Sequence, residues 1–524
     1  MVGTILTLAA ARAPDAPALV FGDVRLSYAE LNARARRFAN GLARLGLARG
    51  DRVAVLLANS TPYVEAFFGA AKIGALMVPV NFRLATPEIR WILEDCTPAA
   101  LVYGTEFGDI LAPLVGTGAL PARLVAVPTS TDVSPVLPGA LGYDAWISQA
   151  PATEPEVEVA TTDDQLIVYT SGTTGRPKGA VWTHGNTLFS ALAKIIDFDL
   201  TPADRVVVFG PLFHVGPLMD LAVPLLQRGG TVVLGRSHGF DPTHLLAVLE
   251  AERATLVSIY PVMWRRVLAV PDLDRYALRS LRLLLTGGEP MPPPLLHEIY
   301  ERFPNVPFVN TYGSTEGGPI TTFLPPADRI ARIGSIGKPA FHVEVRIVDD
   351  HDQEVPPGIV GELVVRSPVV CRGYWGRPEA TLAARRGGWW HTGDLAYRDE
   401  DGFLWIAGRK HDMIISGAEN VYPVEVEQVI AALDAVDEVA VAGVPDPAWG
   451  EAVTAFVVRK PGAVVTEAAI LEHCRANLAG YKKPRRVVFV SELPRTSVNK
   501  VSREALRHRF DGTDTAPRPK RTVP

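Results

Sequence analysis

The sequence predicts an α/β protein: a large N-terminal domain of mainly parallel sheets sandwiched by helices, an antiparallel β subdomain, and a small α+β C-terminal domain. Three observations carry this expectation. Short β-branched runs alternate with amphipathic helical windows up to about residue 330. From about residue 333 the apolar period shortens to two, with Pro-Gly and Asp-Gly turns between segments. The last hundred or so residues then carry helices and strands of their own.

Taking the elements in order, "RVAVLLAN" (52–59), "ALVYG" (100–104), "RVVVFG" (205–210), "TVVLG" (231–235), "LRLLLTGG" (281–288) and "FVNTYG" (308–313) read as strands. Strands that alternate with helices imply βαβ units and parallel pairing. One of the helices, "ARARRFANGLARLGLARG" (33–50), interleaves arginines with apolar residues at helical spacing, the pattern of a solvated helix face. "VEVRIVDD", "GELVVRSP" and "GFLWIAGR" are the period-2 segments of the antiparallel region. In 412–510, "PVEVEQVIAAL" and "EAAILEHCRANL" read as helices, and "VDEVAVAGV", "AVTAFVVR" and "RRVVFV" as strands. The tail 511–524, "DGTDTAPRPKRTVP", is expected to be disordered.

Composition excludes several classes. At 524 residues the chain exceeds one ordinary core, and 48% apolar with 21% charged residues is the balance of a soluble globular protein. A net charge of -5 gives no reason to expect nucleic acid or an anionic membrane as partner. Cys96, Cys371 and Cys474 lie far apart without a C-x-x-C, so neither a disulfide framework nor a zinc site is expected, as suits a cytoplasmic protein. The N-terminus lacks the basic region of a signal peptide, and "VVVFGPLFHVGPLMDLAVPLL" (206–226) is broken by Pro, Gly, His and Asp before it could span a bilayer.

The chemistry is concentrated in a few segments. In "IVYTSGTTGRPKGAVWTHGN" (167–186), Gly172, Gly175 and Gly179 permit close backbone approach, Ser171, Thr173 and Thr174 supply hydroxyls, and Lys178 adds charge. The segment is either an anion cradle or a flexible linker. Its place straight after an apolar strand favours the cradle, and Pro177 rules out a Walker A loop. "NTYGSTEGG" (310–318) offers Tyr312 for stacking, Thr315 for a phosphate oxygen and Glu316 for Mg²⁺, or else is a turn with a paired glutamate. His214 in "PLFHVGP", Asp394 in "WWHTGDL" and Lys500 in "LPRTSVNKVSREAL" each read, alone, as an ordinary structural or surface residue.

Taken together and in this order, these motifs resemble those of the adenylate-forming ligases, which include acyl- and aryl-CoA synthetases, firefly luciferase and nonribosomal peptide adenylation domains. The resemblance runs over nearly the whole chain. It implies that Ser171, Gly172, Thr173, Thr174, Gly175 and Lys178 contact the β- and γ-phosphates of ATP, with Ser171 and Glu316 on the Mg²⁺ side. Gly287 and Gly288 of "TGGEP" line the adenine slot, and Glu289 stands where a small residue is usual. Asn310, Thr311, Tyr312, Gly313 and Thr315 form the adenylate motif, and Asp394 with Arg409 holds the ribose hydroxyls. His214 lies beside the substrate carboxylate, with Val215, Pro217, Met219, Tyr260 and Gly318 as candidate pocket residues. An aspartate that pairs an amino-acid ammonium is usual in the His214 segment of the amino-acid-activating members, and His214 in its place argues against an amino-acid substrate.

The same resemblance implies a division into a large domain, 1–408, a hinge at 409–411 centred on His411, and a small mobile domain, 412–510. Lys500 would act in adenylation, then move away as the small domain rotates and "SGAENVYP" admits coenzyme A past Gly417 and Ala418. Ala418 replaces a glycine of the family pattern, and Asn499 another. The activity implied is ATP- and Mg²⁺-dependent conversion of a carboxylic acid to acyl-AMP and then acyl-CoA, with a medium- or long-chain fatty acid expected as substrate. The alternatives are an aryl-acid CoA ligase, an acyl-AMP ligase that loads a carrier protein, and a nucleotide sensor without catalysis. A homodimer is compatible with this reading.

Overall fold

The computed structural model describes residues 1–129, 136–170, 177–289, 291–416, 419–446, 449–496 and 500–510. The chain divides into two compact units, one of residues 1–291, 297–345 and 365–392, the other of residues 292–296, 346–364 and 393–524.

The first unit contains two large sheets. One has nine strands in the order Lys338–Pro339, Gly318–Phe323, Phe308–Ser314, Leu283–Gly287, Leu256–Ser258, Arg205–Val208, Thr231–Leu234, Pro17–Phe21 and Val24–Ser27. The six from Phe308–Ser314 to Pro17–Phe21 are parallel, and the outer pairings are antiparallel. The other has eight strands, with Arg52–Leu56 paired in parallel to both Leu76–Pro79 and Ala100–Gly104. Every residue of Leu76–Pro79 and of Ala100–Gly104 is buried, as expected of parallel strands covered on both faces.

The arginine-rich segment forms the helix Tyr28–Arg44, started by a capping box in which Ser27 Oγ accepts from Glu30 N and Glu30 Oε2 accepts from Ser27 N. Leu31, Ala35, Phe38 and Leu42 make its buried stripe. Its arginines are engaged inside the molecule: Arg34 pairs with the fully buried Glu65 at 2.7 Å, Arg36 with Glu154 at 2.5 Å, and Arg37 donates to the carbonyl of Ala150 at 2.7 Å. These contacts finish what the sequence left as a solvated face.

The second unit contains a mixed sheet against which three helices of the described residues pack, Pro423–Ala431, Glu467–Asn477 and Arg503–Arg509. Val436–Asp446 and Gly450–Arg459 pair antiparallel, Arg486–Phe489 adds in parallel to residues 454–457, and Ile414–Ser416 pairs at Gly450. The helices Pro423–Ala431 and Glu467–Asn477 bury Val426, Ile430 and Ile470 against Ile414, Val441, Val453 and Val457. Within the same unit, the period-2 texture ahead of this sheet is realised as an antiparallel pair, Asp394–Arg398 against Leu404–Arg409. Among the described residues no helix is long and apolar enough to cross a membrane.

Candidate active site

Two hairpins of the first unit carry the site. Asp164–Thr170 and Lys178–Thr183 pair antiparallel, with Thr170 opposite Lys178 at the end where the chain passes from one strand to the other. Ser171, Gly172, Thr173, Thr174 and Gly175 fall between these strands and lie outside the described residues. Lys178 is delivered by the first position of the return strand, and its ammonium stands 5.3 Å from the centre of the Tyr374 ring, a cation–π contact. Tyr374 is held beside it because Gly373 and Tyr374 pair with Val181 and Ala180 of that strand.

The second hairpin joins Phe308–Ser314 to Gly318–Phe323 and turns through Thr315, Glu316 and Gly317. Its tip is bonded from several sides. Trp182 Nε1 donates to the Thr315 carbonyl at 2.9 Å, Cys371 N to the Glu316 carbonyl at 2.8 Å, and Gly317 N to Ser314 Oγ at 2.9 Å. The half-buried Glu316 carboxylate accepts from Thr170 Oγ1 at 2.9 Å and from the Tyr374 hydroxyl at 3.3 Å, both on Oε1. Oε2 takes neither bond, and a carboxylate oxygen of this kind is a hard donor that could hold a divalent cation. Burial, and after it the Glu316 charge, raises the Tyr374 phenol above its ordinary pKa, so it stays a donor. Thr170, Glu316, Tyr374 and Lys178 thus form one cluster.

The glycines on these strands follow from close approach. A Cβ on Gly313 would fall 2.3 Å from the Pro319 carbonyl oxygen, and one on Gly287 2.2 Å from Thr311 Oγ1, which donates to the Thr286 carbonyl. Asn310 and Thr311 are buried, while Tyr312 and Thr315 are half-buried. Gly288, at φ +83°, is exposed, and Tyr260 stands 3.4 Å from the position of its missing Cβ. Glu289 is half-buried, close enough for its charge to act on the Tyr260 phenol.

The expected acid-binding residues come from the segment after strand Arg205–Val208. His214 precedes a short helix, Val215–Pro217, which runs into a π-helical turn, Leu218–Ala222, and then into the helix Val223–Arg228. Val215, Pro217 and Met219 are buried; His214 is half-buried, its ring 4.3 Å from that of Phe213. Pro217 and Tyr260 meet at Gly210, where a Cβ would lie 2.6 Å from Pro217 Cγ and 3.4 Å from Tyr260 Cε2. Gly318, at φ +111°, backs onto Val369. Tyr260 therefore touches both the Gly288 corner and the Pro217 corner. Burial, then the charges of Asp220 and Glu289, raises its phenol.

In the second unit, Asp394 lies opposite Arg409 in the antiparallel pair, and Arg409 Nε contacts Asp394 Oδ1 at 3.1 Å. His411 is exposed in the turn that Asp412 N and Met413 N close onto the Arg409 carbonyl, both at 3.0 Å. The Lys500 carbonyl accepts from Thr496 N at 2.7 Å, and the Lys500 side chain is exposed. Gly417, Ala418, Asn499 and the tail 511–524 lie outside the described residues.

Reading motif by motif missed three polar residues here. Thr170 and Tyr374 stand 146 and 58 positions from the Glu316 they bond. Asp220, in the π-helical turn, carried one signal: a lone acidic residue inside an apolar run.

Residues 6–375 match the family described as "AMP-binding enzyme", and residues 425–500 match "AMP-binding enzyme C-terminal domain". The chain is 40% identical over 497 residues to a feruloyl-CoA synthase of Amycolatopsis, covering 95% of this chain and 96% of that protein. It is 37% identical over 491 residues to the long-chain-fatty-acid–CoA ligase FadD13 of Mycobacterium tuberculosis, covering 94% of each. Among solved structures it is similar to o-succinylbenzoate coenzyme A synthetase from Bacillus subtilis in complex with ATP and magnesium ion, with TM-score 0.83 and 32% identity over 96% of this chain and 99% of that one.

Proposed function

The chain belongs to the AMP-binding enzyme family and is an enzyme of the acyl-CoA synthetase type, and on that premise we propose that it is an ATP- and Mg²⁺-dependent ligase joining an apolar carboxylic acid to coenzyme A. The observation that carries the reading is the cluster of Thr170, Lys178, Glu316 and Tyr374, which sets a cation and a hydrogen-bonded carboxylate side by side.

In the first half reaction a carboxylate oxygen attacks the α-phosphorus of ATP and the bond to the β-phosphate oxygen breaks, giving acyl-AMP and pyrophosphate. This is needed because a carboxylate alone has no leaving group that a thiol could displace. Lys178, with Ser171, Gly172, Thr173, Thr174 and Gly175, receives the departing phosphates; Tyr312 and the bare Gly287–Gly288 backbone hold the base; Thr315 contacts phosphate. Glu316, whose Oε2 takes neither of these two bonds, and Ser171 would hold Mg²⁺, which when bound would supply positive charge against the phosphate oxygens. Asp394 accepts from the ribose hydroxyls beside Arg409, and Lys500 stabilises the charge that builds between carboxylate and α-phosphate. In the second half reaction the coenzyme A sulfur attacks the carbonyl carbon, the bond to AMP breaks, and the thiol proton passes to solvent. His411 is the hinge position that frees the site of Lys500, and Gly417 and Ala418 line the thiol's approach.

The acid has an apolar body, in keeping with the buried Val215, Pro217 and Met219. An aryl acid is our first reading, supported by the flat Tyr260 ring against Gly288 and Gly210 and by the feruloyl-CoA synthase relative. A medium- or long-chain fatty acid is the second, supported by the apolar, non-aromatic Val215 and Met219 and by the long-chain relative. A cytoplasmic setting fits three unpaired, buried cysteines. The test is a mass-spectrometric screen of pooled carboxylic acids with ATP, Mg²⁺ and coenzyme A. Thioester and AMP should appear with cinnamates ahead of octanoate. Absence of acid-dependent pyrophosphate exchange across the whole pool would end the ligase reading.

A further inference from the structure

The lysine assigned above to adenylation stands on a segment whose two limbs each carry an arginine engaged elsewhere in the second unit. Arg495 and Val501 form an antiparallel bridge, Ser502 N donates to the Pro494 carbonyl at 2.8 Å, and Thr496 N donates to the Lys500 carbonyl at 2.7 Å. A two-stranded pairing this short is marginal in water by itself, so the place of Lys500 depends on what its limbs are tied to. On the first limb Arg495 pairs with Glu438 at 2.7 Å. The second limb passes at Ser502 into the helix Arg503–Arg509. Burial of Leu506 seats that helix in the core, but apolar contact is non-directional and leaves the helix start to its polar contacts.

Those contacts converge on Arg503, the first residue of the helix. Its Nη2 donates to both oxygens of Glu427, at 2.6 and 2.9 Å, its Nε to the Val441 carbonyl at 3.1 Å, and its Nη1 to Asp412 Oδ2 at 3.5 Å. The side chains of Arg503, Glu427 and Asp412 are 20%, 15% and 20% exposed, so salt screens this group less than a surface pair. Val441 lies on the edge strand Val436–Asp446, and its N–H goes to Glu427 Oε1 at 2.7 Å while its carbonyl takes Arg503. The ion pair thereby joins the helix Pro423–Ala431 and the start of the helix Arg503–Arg509 to one sheet edge. Asp412 directly follows His411, the residue assigned to the hinge, and Arg507 stands 3.7 Å from its other oxygen. Three positions beyond Lys500, one guanidinium therefore reaches a sheet edge, a helix and the residue after the hinge.

We propose that Arg503 is a positioning residue for adenylation, which acts through Lys500 by fixing the base of its segment relative to the residue after the hinge. This rests on the ligase reading. A lysine in its place keeps the charge beside Glu427 but offers one nitrogen where the guanidinium uses three, so it cannot hold Glu427, Val441 and Asp412 together. Misplacing a reacting group by about 1 Å can cost about a hundredfold in rate. Thioester formation does not use Lys500, so it separates a positioning role from a merely structural one, which would weaken both half reactions alike.

The experiment compares the full-length parent with Arg503→Lys and with Glu427→Gln, which keeps an acceptor for Arg503 but removes its charge. Three quantities are measured: pyrophosphate exchange with cinnamate and with octanoate, thioester formation from the chemically made adenylate of the same acid with coenzyme A, and amide hydrogen exchange. Pyrophosphate exchange should fall about 10- to 100-fold in both variants with the KM for ATP within about threefold of the parent, while thioester formation stays within about threefold. The amides of Thr496 and Ser502 should lose protection while those of residues 452–459 keep theirs. Glu427→Gln carries the test alone if Arg503→Lys does not fold. Equal loss in both half reactions overturns the inference and leaves the ligase reading standing, and so does pyrophosphate exchange at the parent rate or unchanged protection at Thr496 and Ser502. A parent inert toward both acids overturns the acid readings above and this inference with them.

Discussion

The Tyr374 hydroxyl meets Glu316 Oε1 at 3.3 Å while the face of the same ring carries the Lys178 ammonium at 5.3 Å. One side chain therefore positions both the carboxylate assigned to Mg²⁺ and the cation assigned to phosphate. Tyr374→Phe keeps the ring and removes only the bond to Glu316. It should shift the Mg²⁺ activation curve to higher concentration and lower kcat by about tenfold, the weight of one hydrogen bond to a charged group, with the KM for ATP little changed. Tyr374→Leu should raise the KM for ATP as well, because Lys178 loses its seat. Steady-state kinetics over a Mg²⁺ series separates the two; an unchanged Mg²⁺ curve in Tyr374→Phe would show that the bond does not serve the cation.

Lys500→Ala separates the half reactions. Losing a cation aimed at developing charge typically costs about a hundredfold to a thousandfold. Acid-dependent pyrophosphate exchange should fall by that much, while the enzyme still converts chemically made acyl-AMP and coenzyme A to thioester at near the parent rate. Equal loss in both assays would contradict the division of labour proposed for the second unit.

Gly287→Ala tests the adenine slot. The added methyl would stand 2.2 Å from Thr311 Oγ1 and 2.9 Å from the Thr311 carbonyl oxygen, so the strand Phe308–Ser314 must move. Overpacking of this kind costs about 1–3 kcal/mol. A lower denaturant midpoint together with weaker ATP binding by calorimetry is expected. A stability loss with unaltered ATP affinity would place the base elsewhere.

Acid should weaken the first unit through His184. This imidazole is fully buried, and its Nδ1 accepts from Val2 N at 3.3 Å. Burial first, then the N-terminal ammonium and Arg49, lowers its pKa from 6.5 to about 4, opposed by Asp163. The unfolded chain therefore takes up a proton that the folded chain refuses. His184 contributes stability that is fully present above about 6.5 and is lost as pH falls towards about 4, with a slope of up to about 1.4 kcal/mol per pH unit. Urea unfolding at a series of pH values should show this slope in the parent and a shallower one in His184→Asn.

Much of the fold was legible in the chain itself, because secondary structure follows local periodicity. Buried runs such as "ALVYG" became parallel strands, and "VDEVAVAGV" with "AVTAFVVR" became an antiparallel pair. The glycines, Lys178 and Glu316 stood out for the same reason: each lies in a short motif whose chemistry is complete within a few residues. The arginines of 33–50 did not reveal their fate, since Glu65, Glu154 and Ala150 lie 31 to 118 positions from the side chains they receive.

What the sequence determined by itself is the class of fold, the order of the motifs and the kinds of group that can meet a nucleotide and an acid. The tertiary structure decided which of those groups meet: Thr170 and Tyr374 on Glu316 Oε1, and Lys178 on the Tyr374 ring. The reason is physical. Periodicity and turn chemistry act over a few residues, but a hydrogen bond between residues 146 positions apart exists only once burial of apolar strands has brought together the end of a strand in one sheet and a hairpin turn of another.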